Sequence, residues 1–212
     1  MRVIDLSHTI EPGMPVYPGT PEPEFQPLAT LDKEGFSEQL ITLSSHTGTH
    51  IDLPSHILSE MTTPDVFAVE QFAGKGVVMD VRDAAGGVIS KELLKPFSAL
   101  IGSCDFLLLS SGWSDYWGRP DYFKGYPALS VEAAHWLTEF DLKGIGVDMI
   151  SVDLPDAVDL PVHRRVLGKG IVLIENLTAL SSLPDSPFTF CAFPLKIAGA
   201  EASPIRAVAL VG

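Results

Sequence analysis

Cysteine is scarce in this chain. Cys104 and Cys191 are the whole complement, each inside an apolar stretch and neither in a C-x-x-C pair. That excludes a disulfide framework and fits a reducing compartment. Long hydrophobic runs are missing too. Stretches such as Phe106–Leu109 fall far short of the roughly 20 residues that cross a bilayer. The start, Met1-Arg2-Val3-Ile4-Asp5, has neither the apolar core nor the small-residue cleavage site of a signal peptide. Positive charge is low: 14 Lys+Arg face 27 Asp+Glu, for a net charge of −13. Such a surface repels phosphate backbones and anionic headgroups, so neither nucleic acid nor a membrane is expected as a partner. Internal repeats and low-complexity segments are absent as well. These gaps point to a cytoplasmic globular protein.

What is present is enough for a core. Over 212 residues, 46% are hydrophobic and 19% charged, a composition that folds rather than stays disordered. Strands are expected at Val3–Leu6, Gln39–Ser44, Gly76–Val81, Phe106–Ser110, Gly144–Val147, Gly170–Ile174, Phe188–Phe193 and Ile205–Val211. Several are unbroken apolar runs, as in strands buried on both faces. Ser90 is placed to cap a helix through Leu93, Leu94 and Leu100, interrupted by Pro96. Ser130 is placed to cap another through Val131, Ala134 and Leu137. A hairpin is expected around Ala198–Ser203. The pattern predicts an α/β fold, one domain over residues 1–212 with a mixed sheet flanked by helices. Six prolines between Pro12 and Pro27 make that stretch too proline-dense for regular structure. Its apolar anchors Met14, Val16, Tyr17 and Phe25 predict an ordered loop lying over the body of the protein.

Chemistry concentrates in His46-Thr-Gly-Thr-His50-Ile-Asp52-Leu-Pro54-Ser-His56. Two imidazoles four apart and a carboxylate two further on suit a borderline dication such as zinc or manganese. Gly48, the threonines and Pro54 disfavour a helix here. In an extended chain, positions 46, 50, 52 and 56 project from one side. A polar loop with incidental histidines would need three imidazoles and a carboxylate gathered by chance. His163, on a short helical turn, and Glu175, ending a buried strand, supply further donors. Taken singly, His163 reads as a surface or capping residue and Glu175 as a partner of Arg164 or Arg165; with the first cluster, both read better as ligands. A carboxylate at the end of a buried strand needs a cation or hydrogen-bond donors. His56, with an ordinary pKa of about 6.5, is suited to take a proton from water and return it to a leaving amine.

The eleven-residue segment resembles the H-x-G-T-H-x-D-x-P-x-H signature of the cyclase family of metal-dependent hydrolases, which includes kynurenine formamidases and isatin hydrolases. Ile4-Asp5-Leu6-Ser7, Pro15–Gly19, His163-Arg164, Glu175-Asn176-Leu177, Pro194-Leu195-Lys196 and Ser203–Ala207 extend the resemblance over nearly the whole chain. It implies a compact fold of the swivelling β/α/β type and a homodimer or larger homo-oligomer. It also implies a divalent metal, zinc with manganese as the alternative, as one ion or two. By the same resemblance His46, His50, Asp52 and Glu175 ligate one metal, and His163 holds a second that Asp52 and Glu175 bridge. His56 matches the catalytic histidine. Tyr17 stands where kynurenine formamidases carry a substrate-contacting tryptophan, keeping an aromatic platform. The function expected is an arylformamidase that converts N-formylkynurenine, a small aryl amide, to kynurenine and formate. The alternatives are an isatin-type cyclic amide hydrolase or lactonase and, from another class, a non-catalytic metal- or ligand-binding protein.

Other candidates are weaker. Ser110-Ser111-Gly112-Trp113-Ser114 lacks the G-x-S-x-G pattern of a nucleophile elbow. Trp113, Tyr116 and Trp117 are expected to line a pocket or subunit contact. Gly144-Ile-Gly146 lacks the third glycine of a dinucleotide fingerprint. His135 is expected to be structural, and His8 has no assigned role.

Overall fold

The unbroken apolar runs are buried on both sides. In Phe106–Ser110, Phe106 and Leu108 enter one core while Leu107 and Leu109 enter another. The structure, a computed structural model, describes residues 1–59, 65–84 and 87–212. Its strands are β1 (Arg2–Asp5), β2 (Glu24–Ala29), β3 (Glu38–Thr42), β4 (His50–Asp52), β5 (Ala73–Asp80), β6 (Val88–Ile89) and β7 (Phe106–Ser110). They continue as β8 (Ala128–Leu129), β9 (Gly144–Val147), β10 (Val172–Glu175), β11 (Phe188–Cys191), β12 (Ala202–Pro204) and β13 (Val208–Val211). Among the described residues, nine of these form one mixed sheet in the order β1-β13-β11-β5-β7-β9-β10-β4-β12. The central β5, β7, β9 and β10 run parallel. Antiparallel strands flank them on both sides.

The helices α1 (Leu31–Glu34), α2 (Lys91–Leu94), α3 (Ser98–Ile101), α4 (Val131–Leu137) and α5 (Pro161–Leu167) are short. The last four cover one sheet face, packing Leu94, Ile101, Leu137 and Val166 on Val77, Leu107, Ile145 and Leu173. The other face curls around Phe106, Leu108, Ile174, Phe188 and Phe190 and takes in Ile51. Both expected caps form: Ser90 Oγ accepts from the Leu93 amide at 3.3 Å and Ser130 Oγ from the Ala133 amide at 2.9 Å. Pro96 splits the first helical stretch into α2, a 3-10 turn and α3. Among the described residues no helix is long and apolar enough to cross a membrane.

Two expectations change. The proline-dense stretch ends in regular structure, because β2 includes Pro27 and pairs with β3. The register shifts between Pro27 and Ala29, so the missing proline N–H falls at an irregularity. At the C-terminus, β11 and β13 do pair antiparallel, but their connection is no simple turn. It carries β12 to the opposite edge of the sheet, where it pairs with β4. The donor-bearing β4 is therefore clamped between β10 and β12 instead of lying on an open edge.

Gly146 in β9 lies at one of the tight points of this packing. A Cβ there would lie 2.6 Å from Leu108 Cδ2 and 2.7 Å from Leu177 Cδ1. Gly146→Val should therefore cost about 1–3 kcal/mol by overpacking, read as a lower urea midpoint at unchanged slope. An unchanged midpoint would show that this core has slack.

Candidate metal centre

The four residues of the histidine motif arrive by three local structures, not by one extended segment. His46 lies in a turn that passes through Gly48 at φ +63°, a left-handed conformation suited to glycine. His50 and Asp52 are alternate residues of β4 and share a face. Pro54 then opens a 3-10 turn that carries His56 back toward them. In the β4–β10 register His50 stands opposite Glu175. Pro161 starts α5, and His163 lies in its first turn.

The elements converge on the Asp52 carboxylate, which is 1% exposed. His46 Nδ1 and His50 Nε2 lie 2.9 and 3.4 Å from its Oδ1, and His163 Nε2 lies 3.6 Å from its Oδ2. Glu175 closes the ring, with Oε2 3.6 Å from His50 Nε2 and Oε1 3.4 Å from His163 Nε2. Donors bound to one tetrahedral dication at 2.0–2.2 Å stand about 3.4 Å apart, so these separations fit a shared ion. Hydrogen bonding leaves the same room. Neither Asp52 oxygen nor His50 Nε2 has a hydrogen-bond partner, although all three atoms are buried. Unpaired buried polar atoms are costly, and a cation among them removes that cost. Two overlapping groups meet the geometry of a metal site: His50, Asp52 and Glu175, and His46, Asp52 and His56. The donor set of imidazoles and carboxylates suits a divalent ion.

The charges are interlocked. Burial opposes ionisation of Asp52, but the charge of His50, with the His163 and His46 imidazoles close by, holds its carboxyl well below the usual range. Burial likewise opposes protonation of His50, yet Asp52 and Glu175 push it up to about 9. His56 behaves differently: burial holds it below its ordinary value. It rests neutral at neutral pH.

Three of the imidazoles are oriented through the nitrogen turned from the site. His50 Nδ1 donates to the Gly48 carbonyl at 2.8 Å. His163 Nδ1 donates to Asp153 Oδ2 at 2.6 Å. His46 Nε2 points toward Glu201 Oε1 at 3.5 Å, and Ser45 Oγ donates to that oxygen at 2.6 Å. Among the described residues the His56 ring has no hydrogen-bond partner. Its centre lies 4.4 Å from the His46 ring and 5.9 Å from the His163 ring. His46, His50, Asp52, His56, His163 and Glu175 border a cavity of about 290 Å³, together with Tyr17, Thr20, Ser44, Ile150, Ser151 and Leu160. Tyr17, half-exposed, thus sits in the cavity wall.

Trp113, Tyr116 and Trp117 do not line this cavity. Trp113 is buried and donates to the Tyr122 carbonyl, Tyr116 stacks on Trp113, and Trp117 stacks on His8 at 3.9 Å. His135 is exposed on α4, beside Glu139. Arg164 does not pair with Glu175; it donates to the Asp159 and Ile57 carbonyls and so ties α5 to the turn of His56. Sequence reasoning missed Asp153, Asn176 and Glu201. A polar residue directly after Glu175 in an apolar strand was the available signal for Asn176.

Similarity to known proteins follows the same geometry. The family described as "Putative cyclase" matches residues 4–154, more than half of the chain. The chain belongs to the cyclase family. A relative from Salinibacter ruber named kynurenine formamidase is 34% identical, with 98% of this chain and 97% of the relative covered. Isatin hydrolase A from Ralstonia solanacearum superposes with a TM-score of 0.89 at 26% identity, over 100% of this chain and 92% of that one. A structure titled a potential metal-dependent hydrolase with cyclase activity superposes with a TM-score of 0.80 at 25% identity, covering 98% and 96%.

Asn176 ties the two donor segments together. At φ +57°, its Nδ2 donates to the Gly48 carbonyl at 2.9 Å and its Oδ1 accepts from Tyr122 Oη at 2.6 Å. Its carbonyl accepts from Thr49 Oγ1. Asn176→Ala strands the buried Tyr122 hydroxyl and should cost about 1–3 kcal/mol in urea unfolding. Equal stability of variant and wild type would show that a water replaces the amide.

Proposed function

We propose that this protein is a divalent-metal-dependent amide hydrolase, an arylformamidase that converts N-formylkynurenine to kynurenine and formate. The observation that carries the reading is Asp52, a buried carboxylate whose oxygens take no hydrogen bond while three imidazoles and Glu175 surround them. His46, His50, Asp52, Glu175 and His163 are the residues that would hold one or two ions, zinc first and manganese as the alternative. A dication held there supplies Lewis-acid polarisation of the scissile carbonyl and makes hydroxide accessible near neutral pH. His56 is placed to take the proton from the attacking water. When the C–N bond breaks, it returns that proton to the leaving aryl amine, and formate departs. The uncapped, neutral imidazole of His56 separates this reading from a purely structural metal site, which is closed and needs no free base. Tyr17 offers an aromatic face to the substrate ring.

A second reading is a hydrolase of cyclic amides such as isatin, or of lactones. It is favoured by the cavity wall, where the described lining residues include no Lys or Arg to hold a substrate carboxylate. Parallel assays on N-formylkynurenine, isatin and a lactone decide between them. We place the protein in the cytoplasm as a homodimer or larger assembly. Leu28, Leu40 and Ile41, exposed on the β2–β3 ribbon, offer such a contact its apolar surface.

Asp52→Asn should lower both bound metal and activity, read by elemental analysis and turnover; full metal occupancy would remove Asp52 from the ligand set. His56→Ala should keep its metal and lose about 10²–10⁴-fold in rate. Loss of metal with activity would make His56 a ligand, as its grouping with His46 and Asp52 allows. Tyr17→Ala should raise KM for aryl amides more than for small aliphatic ones. Equal effects on both classes would leave Tyr17 a packing residue of its loop.

A further inference from the structure

We propose that Asp153 is the positioning residue of His163, fixing the ring in one orientation with the proton on Nδ1 and the Nε2 face turned to Asp52 and Glu175. The inference rests on the metal-site reading of His163 given above. Asp153 is buried and its carboxylate is fully engaged. Oδ1 accepts from the Val162 amide at 3.0 Å, and Oδ2 accepts from both the His163 amide at 3.0 Å and the His163 ring Nδ1 at 2.6 Å. One oxygen thus grips the backbone and the ring of the same residue, which leaves little freedom at either side-chain torsion. With three N–H donors on its two oxygens, Asp153 is not available as a ligand itself.

The residue is in turn held by its neighbours. Its amide donates to Ser151 Oγ at 3.2 Å and its carbonyl accepts from Tyr126 Oη at 2.9 Å. The adjacent Val152 amide donates to Glu175 Oε1 at 3.1 Å, the oxygen that lies 3.4 Å from His163 Nε2. The three residues after Ile150 therefore position two donors from different elements, His163 of α5 and Glu175 at the end of β10. His50, by contrast, is oriented by a neutral carbonyl. A carboxylate partner makes an imidazole the stronger donor and fixes which nitrogen is free.

Asp153→Asn tests this with little change of shape. An amide cannot accept from all three N–H groups. Its NH2 faces either the ring Nδ1, which must then give up its proton to Nε2, or the Val162 amide. In the wild-type full chain, labelled with 15N-histidine, His163 Nδ1 should carry an exchange-protected downfield proton with and without zinc. Asp153→Asn should lose that signal and bind zinc about 10–100-fold more weakly in competition with a chromophoric chelator. A residue that merely caps the start of α5 would lower the melting temperature on substitution while zinc affinity stayed unchanged. That outcome, or absence of the protected proton in the wild type, overturns the proposal. If Asp153→Asn does not fold, the wild-type signal alone decides. If the wild type binds no zinc or manganese, the metal reading fails, and the protected proton in the metal-free protein still decides the role of Asp153.

Discussion

The buried Asp52 carboxylate is the constraint that organises this molecule. A carboxylate removed from water without hydrogen bonds is tolerated only where positive charge is brought to it. Every element that reaches it does so for that reason: the turn bearing His46, the strand bearing His50, the first turn of α5 bearing His163. Glu175 adds a second negative charge where an isolated pair of acids would repel, so the cluster balances only with imidazolium groups or a cation in its midst. The sheet topology follows the same demand. Clamping β4 between β10 and β12 dries and stiffens the strand that carries Asp52.

The donor residues were legible in the sequence because their spacing is local and their chemistry unusual. Three imidazoles and a carboxylate so close together in sequence stand out against their apolar neighbours. The path the chain takes between them was not legible: positions of equal parity suggested one extended face, whereas Gly48 and Pro54 impose a turn before and after a three-residue strand. The central strands and both serine caps could be read from apolar runs and capping chemistry. The crossing of β12 to the far edge could not, since nothing in Ala202–Pro204 distinguishes a strand beside β4 from one beside β11.

Asp153, Asn176 and Glu201 escaped for a different physical reason. Each acts through a partner that only the fold brings close: His163 for Asp153, the Gly48 carbonyl for Asn176 and His46 for Glu201. Acidic or amide side chains are common on surfaces, so composition gives them no contrast. Their partners come from the fold alone. Trp113 and Trp117 show another limit: large aromatic residues near a strand end suggested a pocket or a subunit contact, and they lie outside the cavity lining, packed against Tyr116 and His8.

The floor of the cavity and its wall are built on different principles, and Gly48 is where they meet. A Cβ on Gly48 would lie 3.1 Å from Met14 Cε and 3.5 Å from Ile10 Cγ1, so the N-terminal loop rests directly on the turn between His46 and His50. Met14 is buried there, whereas Tyr17, three residues on, is half open to solvent. The loop is therefore anchored at Met14, with Tyr17 lying on a more open stretch beyond it. Side chains in the stretch that borders the cavity can be exchanged, one aromatic or polar group for another, while the buried methionine keeps the turn between His46 and His50 undisturbed. Relatives named for a formamide and for a cyclic amide are the outcome such a division of labour allows.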